Sequence, residues 1–531
     1  MPKMNWDFPY PSQRMPVFAR NVVATSQPLA TQAGMQMFAR GGNAVDAALA
    51  AAIALTVLEP TANGIGSDAF AIVWDGKKIH GLNGSGRSPH AFSPERFRGR
   101  TTIPEIGWDS VTVPGAVDAW VQLSRKFGAL PFGDLFEPAL RCAAEGFPVA
   151  PITAAQWNGA VDLYHDFEDF KRMFLPEGRT PHPGEIFHPQ GMAKTLQEIA
   201  KTTGESFYRG DIAKKIIAHS QKTGGCLEEK DLAEHHCDWV EPLSQNWQDV
   251  SLLELPPNTQ GIVALIALGI LKQLPSDLAA FLAPDSPEGI HLQVEAMKTA
   301  FSLAEEHVAD TGWMTISHDA LLEPAFLKKF AEKINLDQAG RFPPTPRRDG
   351  GTVYLTAADS KGMMISFIQS NYRGFGSGIV IPETGISLQG RAAGFTLEAE
   401  HPNQVAGGKR PFHTIIPAFV MHEGKPLMSF GVMGARMQPQ GHVQMMVRIF
   451  AASQNLQAAA DAPRWYLDEN SNLFLESGFS GETLSALQSL GHTIFTNGPV
   501  KLFGGAQLIY RLDDCWCAAS DPRKDGQAAG F

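Results

Sequence analysis

The run Asp349-Gly350-Gly351-Thr352-Val353-Tyr354-Leu355-Thr356, followed by Asp359-Ser360-Lys361-Gly362 and by Ile365 to Val380, decides how the chain is read. β-Branched and aromatic residues from Val353 to Ala358, and again from Met363 to Gln369, read as two strands. The Asp-x-x-Gly between them is a hairpin signal. Two glycines directly ahead of a threonine give a flexible, uncrowded approach to one peptide bond, as attack by the Thr352 hydroxyl on the Gly351 carbonyl requires. Release at that bond makes Thr352 a new N-terminus. Its hydroxyl is then a nucleophile, and its α-amino group, with an ordinary pKa of about 7.7–8.0, is partly neutral near physiological pH and serves as general base. On the hairpin alone Thr352 also reads simply as a β-branched residue opening a strand, and the rest of the chain has to decide.

Thr352 to Asp359, Gln369-Ser370-Asn371-Tyr372 and Gly374-Phe375-Gly376-Ser377-Gly378 resemble the start of the small subunit of the γ-glutamyltransferase family, self-processing N-terminal-nucleophile hydrolases. The resemblance runs through nearly the whole chain. It takes in Asn63-Gly64-Ile65-Gly66-Ser67-Asp68-Ala69-Phe70, Val111-Thr112-Val113-Pro114-Gly115, Pro256-Pro257-Asn258-Thr259-Gln260-Gly261, the region of His291, Glu295, Lys298 and Phe301, and Ala519-Ser520-Asp521-Pro522-Arg523. It implies an α+β fold, the four-layer αββα sandwich. A large fragment, 1–351, and a small one, 352–531, would share one domain and stay associated, with a dimer of heterodimers as one assembly open to them. It implies no metal and no organic cofactor.

Composition agrees with a soluble globular protein: 44% of residues are hydrophobic and 19% charged. A net charge of −11 without a basic stripe argues against nucleic acid. Met1 to Pro9 lacks the apolar core of a signal peptide, and Ala47–Leu58 is too short to span a bilayer, so no membrane partner and a cytoplasmic location are expected. Five scattered cysteines fit a reducing compartment. His235-His236-Cys237 has no second ligand pair at metal-site spacing.

Along the chain, Asn21 to Ser26 reads as a strand and Pro28 to Arg40 as a helix. A second helix is capped by Asn43 and packs closely through its alanines. The glycine-rich loop 63–68 follows a helix and precedes a strand, the wrong order for a phosphate cradle. Residues 115–340 read as mostly helical, and Glu295 with Lys298 as an exposed i, i+3 pair. From Phe342 to Gly351 a Pro- and Arg-rich linker leads to the candidate cleavage site.

The resemblance also assigns roles. Gly434 and Ala435, in Gly431-Val432-Met433-Gly434-Ala435-Arg436, fall where the family supplies two backbone N–H groups to an oxyanion, although the family's proline there is Met433. Ser370 replaces a threonine whose hydroxyl assists the nucleophile, and Tyr372, next to Asn371, stands at a family asparagine. Arg87 falls at the arginine that holds the glutamyl α-carboxylate. A carboxylate that would face the substrate ammonium is Gly394, a glutamine is Arg391, and two carboxylate-binding serines are His413 and Thr414. His413 is open to two readings, a donor to an acyl carboxylate or a satisfied buried histidine. Losing an anion and gaining a cation inverts the preference for an ammonium. The expected substrate is therefore an amide whose acyl group carries a carboxylate and no α-amino group, with water or an amine as acceptor. These motifs resemble the family's cephalosporin-acylase-like branch. A true γ-glutamyltransferase or glutathione hydrolase, and a catalytically silent binding homologue, are the alternatives.

Overall fold

Thr352 and Ser370 lie at the same end of two adjacent strands, Gly351–Ala358 and Met364–Tyr372, and the whole architecture can be built outward from them. The computed structural model describes residues 10, 14–275, 283–346 and 350–531 of the continuous chain. The N-terminal stretch Met1 to Pro9 and the Arg347-Arg348-Asp349 part of the linker lie outside the described residues.

The two strands form the expected hairpin. Asp359 Oδ1 accepts the N–H groups of Lys361 and Met363 at 2.9 and 3.1 Å, and Gly362 takes the left-handed backbone that closes the turn, φ 90°. Around the hairpin a seven-stranded antiparallel sheet runs in the order Gln527–Gly530, Val22–Thr25, Gly351–Ala358, Met364–Tyr372, Asp68–Trp74, Ile79–Gly84, Asp238–Val240. A second antiparallel sheet runs Val17–Ala19, Trp516–Ser520, Gly505–Arg511, Lys425–Met433, Ala418–His422, Val250–Glu254, Leu243–Trp247. Both sheets interleave strands from either side of the Gly351–Thr352 bond, so neither half of the chain completes either of these two sheets by itself.

Strand alternation sorts the side chains into layers. Val353, Leu355 and Ala357 join a core with the helices Pro28–Ala39, Ala44–Leu58 and Ala116–Phe127. Tyr354 and Ala358 point the other way, into a core between the sheets shared with Phe70, Leu253, Phe419 and Ile509. A third core joins the second sheet to the helices Gly261–Lys272, Pro287–His307 and Met437–Met446. Helix, sheet, sheet, helix is the expected αββα sandwich.

The alanine-rich helix is buried at all fifteen positions. Asn43 and Asp46 form a capping box at its start, and a Cβ on Gly34 of the preceding helix would lie 2.9 Å from the Ala47 carbonyl, which shows how closely the two pack. One expectation is filled out and another needs correction. The stretch 115–340 is not only helical: three strands, Asp238–Val240, Leu243–Trp247 and Val250–Glu254, extend the sheets, two of them as short edges with weak patterning. Glu295 and Lys298 are a buried pair, 2.7 Å apart, because Gly340 lies over them. Its N–H donates to Glu295 at 3.0 Å, and its carbonyl accepts from Lys298 at 3.0 Å. Among the described residues no helix is long and apolar enough to cross a membrane.

Candidate active site

Thr352 sits at a register break. Gly351 pairs with Tyr372 and Val353 with Gln369, so Ser370 and Asn371 together face Thr352. A two-against-one bulge re-aims side chains. Here it brings Ser370 Oγ to 2.6 Å from the Gly351 carbonyl oxygen and 3.4 Å from Thr352 Oγ1. Tyr372 takes a left-handed backbone, φ 81°, and its N–H donates to Ser370 Oγ at 2.9 Å. Thr352 is 2% exposed, and Ser370 is fully buried.

The glycine pair ahead of Thr352 is more confined than the sequence suggests. A Cβ on Gly350 would lie 3.0 Å from that of Ala435 and 3.1 Å from the Tyr372 carbonyl, and one on Gly351 would lie 2.9 Å from the Thr61 carbonyl. Glycine is needed there for close backbone approach, not for freedom of an open segment. The approach to Thr352 thus lies against the Gly434–Ala435 turn. Gly434 and Ala435 have φ of 122° and 50°, and the turn is tied down from below. The Ala435 carbonyl accepts from Gln438 N–H at 3.1 Å and from Gln260 Nε2 at 2.9 Å. Gln260 Nε2 also donates to the Thr414 carbonyl, and Gln438 Nε2 stands 3.5 Å from Thr352 Oγ1.

Arg391 is the charged group of this cluster. It is 1% exposed, yet its guanidinium reaches Ser370 Oγ through Nη2 at 2.6 Å and Thr414 Oγ1 through Nη1 at 2.8 Å, beside the Tyr372 ring at 5.2 Å. Its buried Nε has no partner among the described residues. No carboxylate among the described residues forms an ion pair with it within 4.0 Å; Asp68 acts on it only through space. Burial lowers the Arg391 pKa to about 10, which leaves it a cation at neutral pH.

Behind Arg391, Asp68 and His413 form a fully buried pair, Oδ2 to Nε2 at 3.0 Å. Gly115 N–H and Gly86 N–H donate to Asp68 Oδ1 at 3.1 and 3.4 Å. Burial pushes the Asp68 carboxyl up to about 7, with Arg391 pulling the other way, and burial holds His413 well below the ordinary imidazole value. His413 is therefore neutral and engaged with Asp68.

The other two residues picked from sequence lie elsewhere. Asn371 is fully buried and packs loops together: its Oδ1 accepts from Ser67 Oγ at 2.7 Å and its Nδ2 donates to the Phe375 carbonyl at 3.2 Å. Arg87, 41% exposed in its side chain, lies 3.2 Å from Asp310 and 3.9 Å from Asp238, which Arg410 shares. Those contacts do not bring it to Thr352, Ser370 or Arg391. Its loop packs closely on the next one, since a Cβ on Gly86 would lie 1.5 Å from the Val113 carbonyl. His235 and Cys237 meet Asp118, a partner invisible to motif spacing, with ligand atoms within 4.8 Å of one another. Cys237 N–H donates to Asp118 at 2.7 Å and its thiol to the Gly115 carbonyl at 3.6 Å, which ties an edge strand to the loop behind Asp68. An open cleft of about 570 Å³ lined by Trp108, Asp109, His219 and Val380 includes none of the Thr352 cluster.

Asp68, Gln260 and Gln438 were not singled out from sequence. Asp68 and Gln260 stand inside stretches that carry the family resemblance, but only tertiary contact shows that one faces a buried cation and the other supports the turn.

Residues 30–531 match the family model described as Gamma-glutamyltranspeptidase. The chain is 33% identical to the Glutathione hydrolase-like YwrD proenzyme of Bacillus subtilis, covering 96% of this chain and 98% of that one. It is also 33% identical to the Oxamate amidohydrolase proenzyme of Klebsiella pneumoniae, covering 95% and 97%. The crystal structure of cephalosporin acylase from Bacillus halodurans superposes with a TM-score of 0.93 at 44% identity, over 99% of each chain. The chain therefore belongs to the gamma-glutamyltranspeptidase family of hydrolases.

Proposed function

We propose that the protein is a self-processing amidohydrolase that cuts its own Gly351–Thr352 bond and then uses Thr352 to hydrolyse amides of small acyl groups bearing a carboxylate and no α-amino group. One observation carries the substrate class: a buried guanidinium, Arg391, stands one hydroxyl away from Thr352, with no carboxylate of the described residues in ion-pair contact with it and Asp68 acting on it only through space. A buried cation is stabilised by an anion brought to it, and a substrate ammonium in the same place is repelled. In turnover Thr352 Oγ1 attacks the amide carbonyl and its α-amino group takes the proton and returns it to the leaving amine. The N–H groups of Gly434 and Ala435 hold the oxyanion, and water resolves the acyl-enzyme. Arg391 and Thr414 hold the substrate carboxylate, while Arg87 stays with Asp310 and Asp238. The names of two similar proteins, an oxamate amidohydrolase and a cephalosporin acylase, support the amidohydrolase reading.

The test has two stages. Intact mass of wild type should show two chains, 1–351 and 352–531, with Thr352→Ala remaining whole. The processed enzyme should then release the amine from oxamate or from a glutaryl amide faster than from the corresponding γ-glutamyl amide. A preference for glutathione would instead favour a glutathione hydrolase, the reading supported by the Bacillus subtilis relative's name. A wild-type chain that stays whole on long incubation would leave a binding protein as the explanation.

A further inference from the structure

A serine hydroxyl has one proton to give and two lone pairs to fill. Among the described residues, four polar atoms of the continuous chain surround Ser370 Oγ, and three of them have a fixed role. Arg391 Nη2, at 2.6 Å, and Tyr372 N–H, at 2.9 Å, only donate, and the Gly351 carbonyl oxygen, at 2.6 Å, only accepts. The two donors fill both lone pairs, so the Ser370 proton points at the Gly351 carbonyl. Thr352 Oγ1, at 3.4 Å, finds no lone pair free on Ser370. Before cleavage Ser370 is therefore not a base for Thr352; it is a hydrogen-bond donor to the carbonyl under attack.

From this geometry we infer that Arg391 is a positioning residue for self-cleavage, acting through Ser370, and that it turns to the substrate carboxylate only after the bond is cut. The guanidinium draws electron density from the hydroxyl it donates to, and a charge-assisted bond of this kind makes Ser370 a stronger donor to the developing oxyanion. Its position is fixed by Thr414 Oγ1 at 2.8 Å and by the Arg391 N–H donating to Gln389 Oε1 at 2.7 Å. The bond changes balance without any group leaving Ser370 or Arg391. The Thr352 Oγ–Gly351 C bond forms, the Gly351 C–Thr352 N bond breaks, and the threonine hydroxyl proton ends on the released amine. Water then splits the ester into the Gly351 carboxylate and a free hydroxyl. The inference rests on the proposed cleavage at Thr352 and adds to it a link between maturation and specificity: one cation serves the scissile carbonyl first and the substrate carboxylate second.

Full-length Arg391→Met and Arg391→Lys, expressed in a short pulse and followed by intact mass between pH 6 and 9, test it. Met should slow cleavage by roughly 10²-fold, the scale of losing one oxyanion donor. Lys should recover a large part of the rate, since it keeps a cationic donor. A purely structural role predicts the opposite order, because an apolar side chain replaces a buried cation at little cost or with a gain in stability, whereas Lys keeps the burial penalty. Thr414→Val, which removes an anchor of the guanidinium without touching Ser370, should give a smaller slowing and carries the test should Arg391→Met fail to fold. Cleavage of Arg391→Met or Thr414→Val within threefold of a wild type that does cleave overturns this inference alone. A wild type that never cleaves overturns the functional reading instead.

Discussion

Ser370→Ala is the sharpest perturbation of the site, because one hydroxyl makes three contacts whose losses can be separated. The first is the donor bond to the Gly351 carbonyl at 2.6 Å. Its removal takes away a donor aimed at developing charge, an effect of about 10²–10³ in rate, or about 3–4 kcal/mol of barrier. The other two are the bonds received from Tyr372 N–H and Arg391 Nη2. Their loss leaves two buried donors without an acceptor, at about 1–3 kcal/mol for the neutral N–H and more for the guanidinium. The precursor should thus be both less stable and slower to cleave, although a less stable chain by itself gives no reason for slower chemistry. The assay is a time course of the two fragments by intact mass, beside a urea midpoint measured for Ser370→Ala and wild type, each in a Thr352→Ala background so that cleavage does not intervene. Ser370→Thr keeps the hydroxyl and should process far faster than Ser370→Ala. Processing of Ser370→Ala within threefold of wild type would refute the role of this hydroxyl, however much stability it had lost.

Further outcomes follow from the buried charges. In a Thr352→Ala background, Lys298→Met should lower stability by roughly 3–5 kcal/mol, because Glu295 stays buried beside Gly340 without its cation. A shift in urea midpoint worth less than about 1 kcal/mol would show that the pair is not buried as described. Asp68 gives a pH signature. Burial raises its folded pKa from 3.8 to about 7, so its contribution to stability is fully present below about 4 and is lost as pH rises towards 7. The margin in melting temperature of wild type over Asp68→Asn should shrink across that window, and a margin that widens with pH would mean the ionised carboxylate is the favoured partner of Arg391 and His413.

Some of this was legible in the sequence because it rests on local chemistry. The hairpin at 351–372 follows from strand-forming residues on either side of Asp359-x-x-Gly362, and the Asn43-capped alanine helix from a capping box and a period-3.6 pattern. Membership of the family, and with it the αββα architecture, was carried by motifs spread along nearly the whole chain. What sequence could not decide depends on where side chains from distant segments meet. Glu295 and Lys298 look like a solvated helix pair until Gly340, some forty residues on, covers them. The edge strands Asp238–Val240 and Leu243–Trp247 are short and carry few apolar residues, and they form where a sheet edge receives them. Arg87 and Arg391 both qualify as carboxylate anchors by residue type. Only the fold separates them, turning Arg87 outward to Asp310 and Asp238 and burying Arg391 against Ser370. The physical reason is general to this site: backbone pattern sets which face a side chain leaves from, but the field it enters is made by residues hundreds of positions away, as with Asp68, Gln260 and the turn at Gly434.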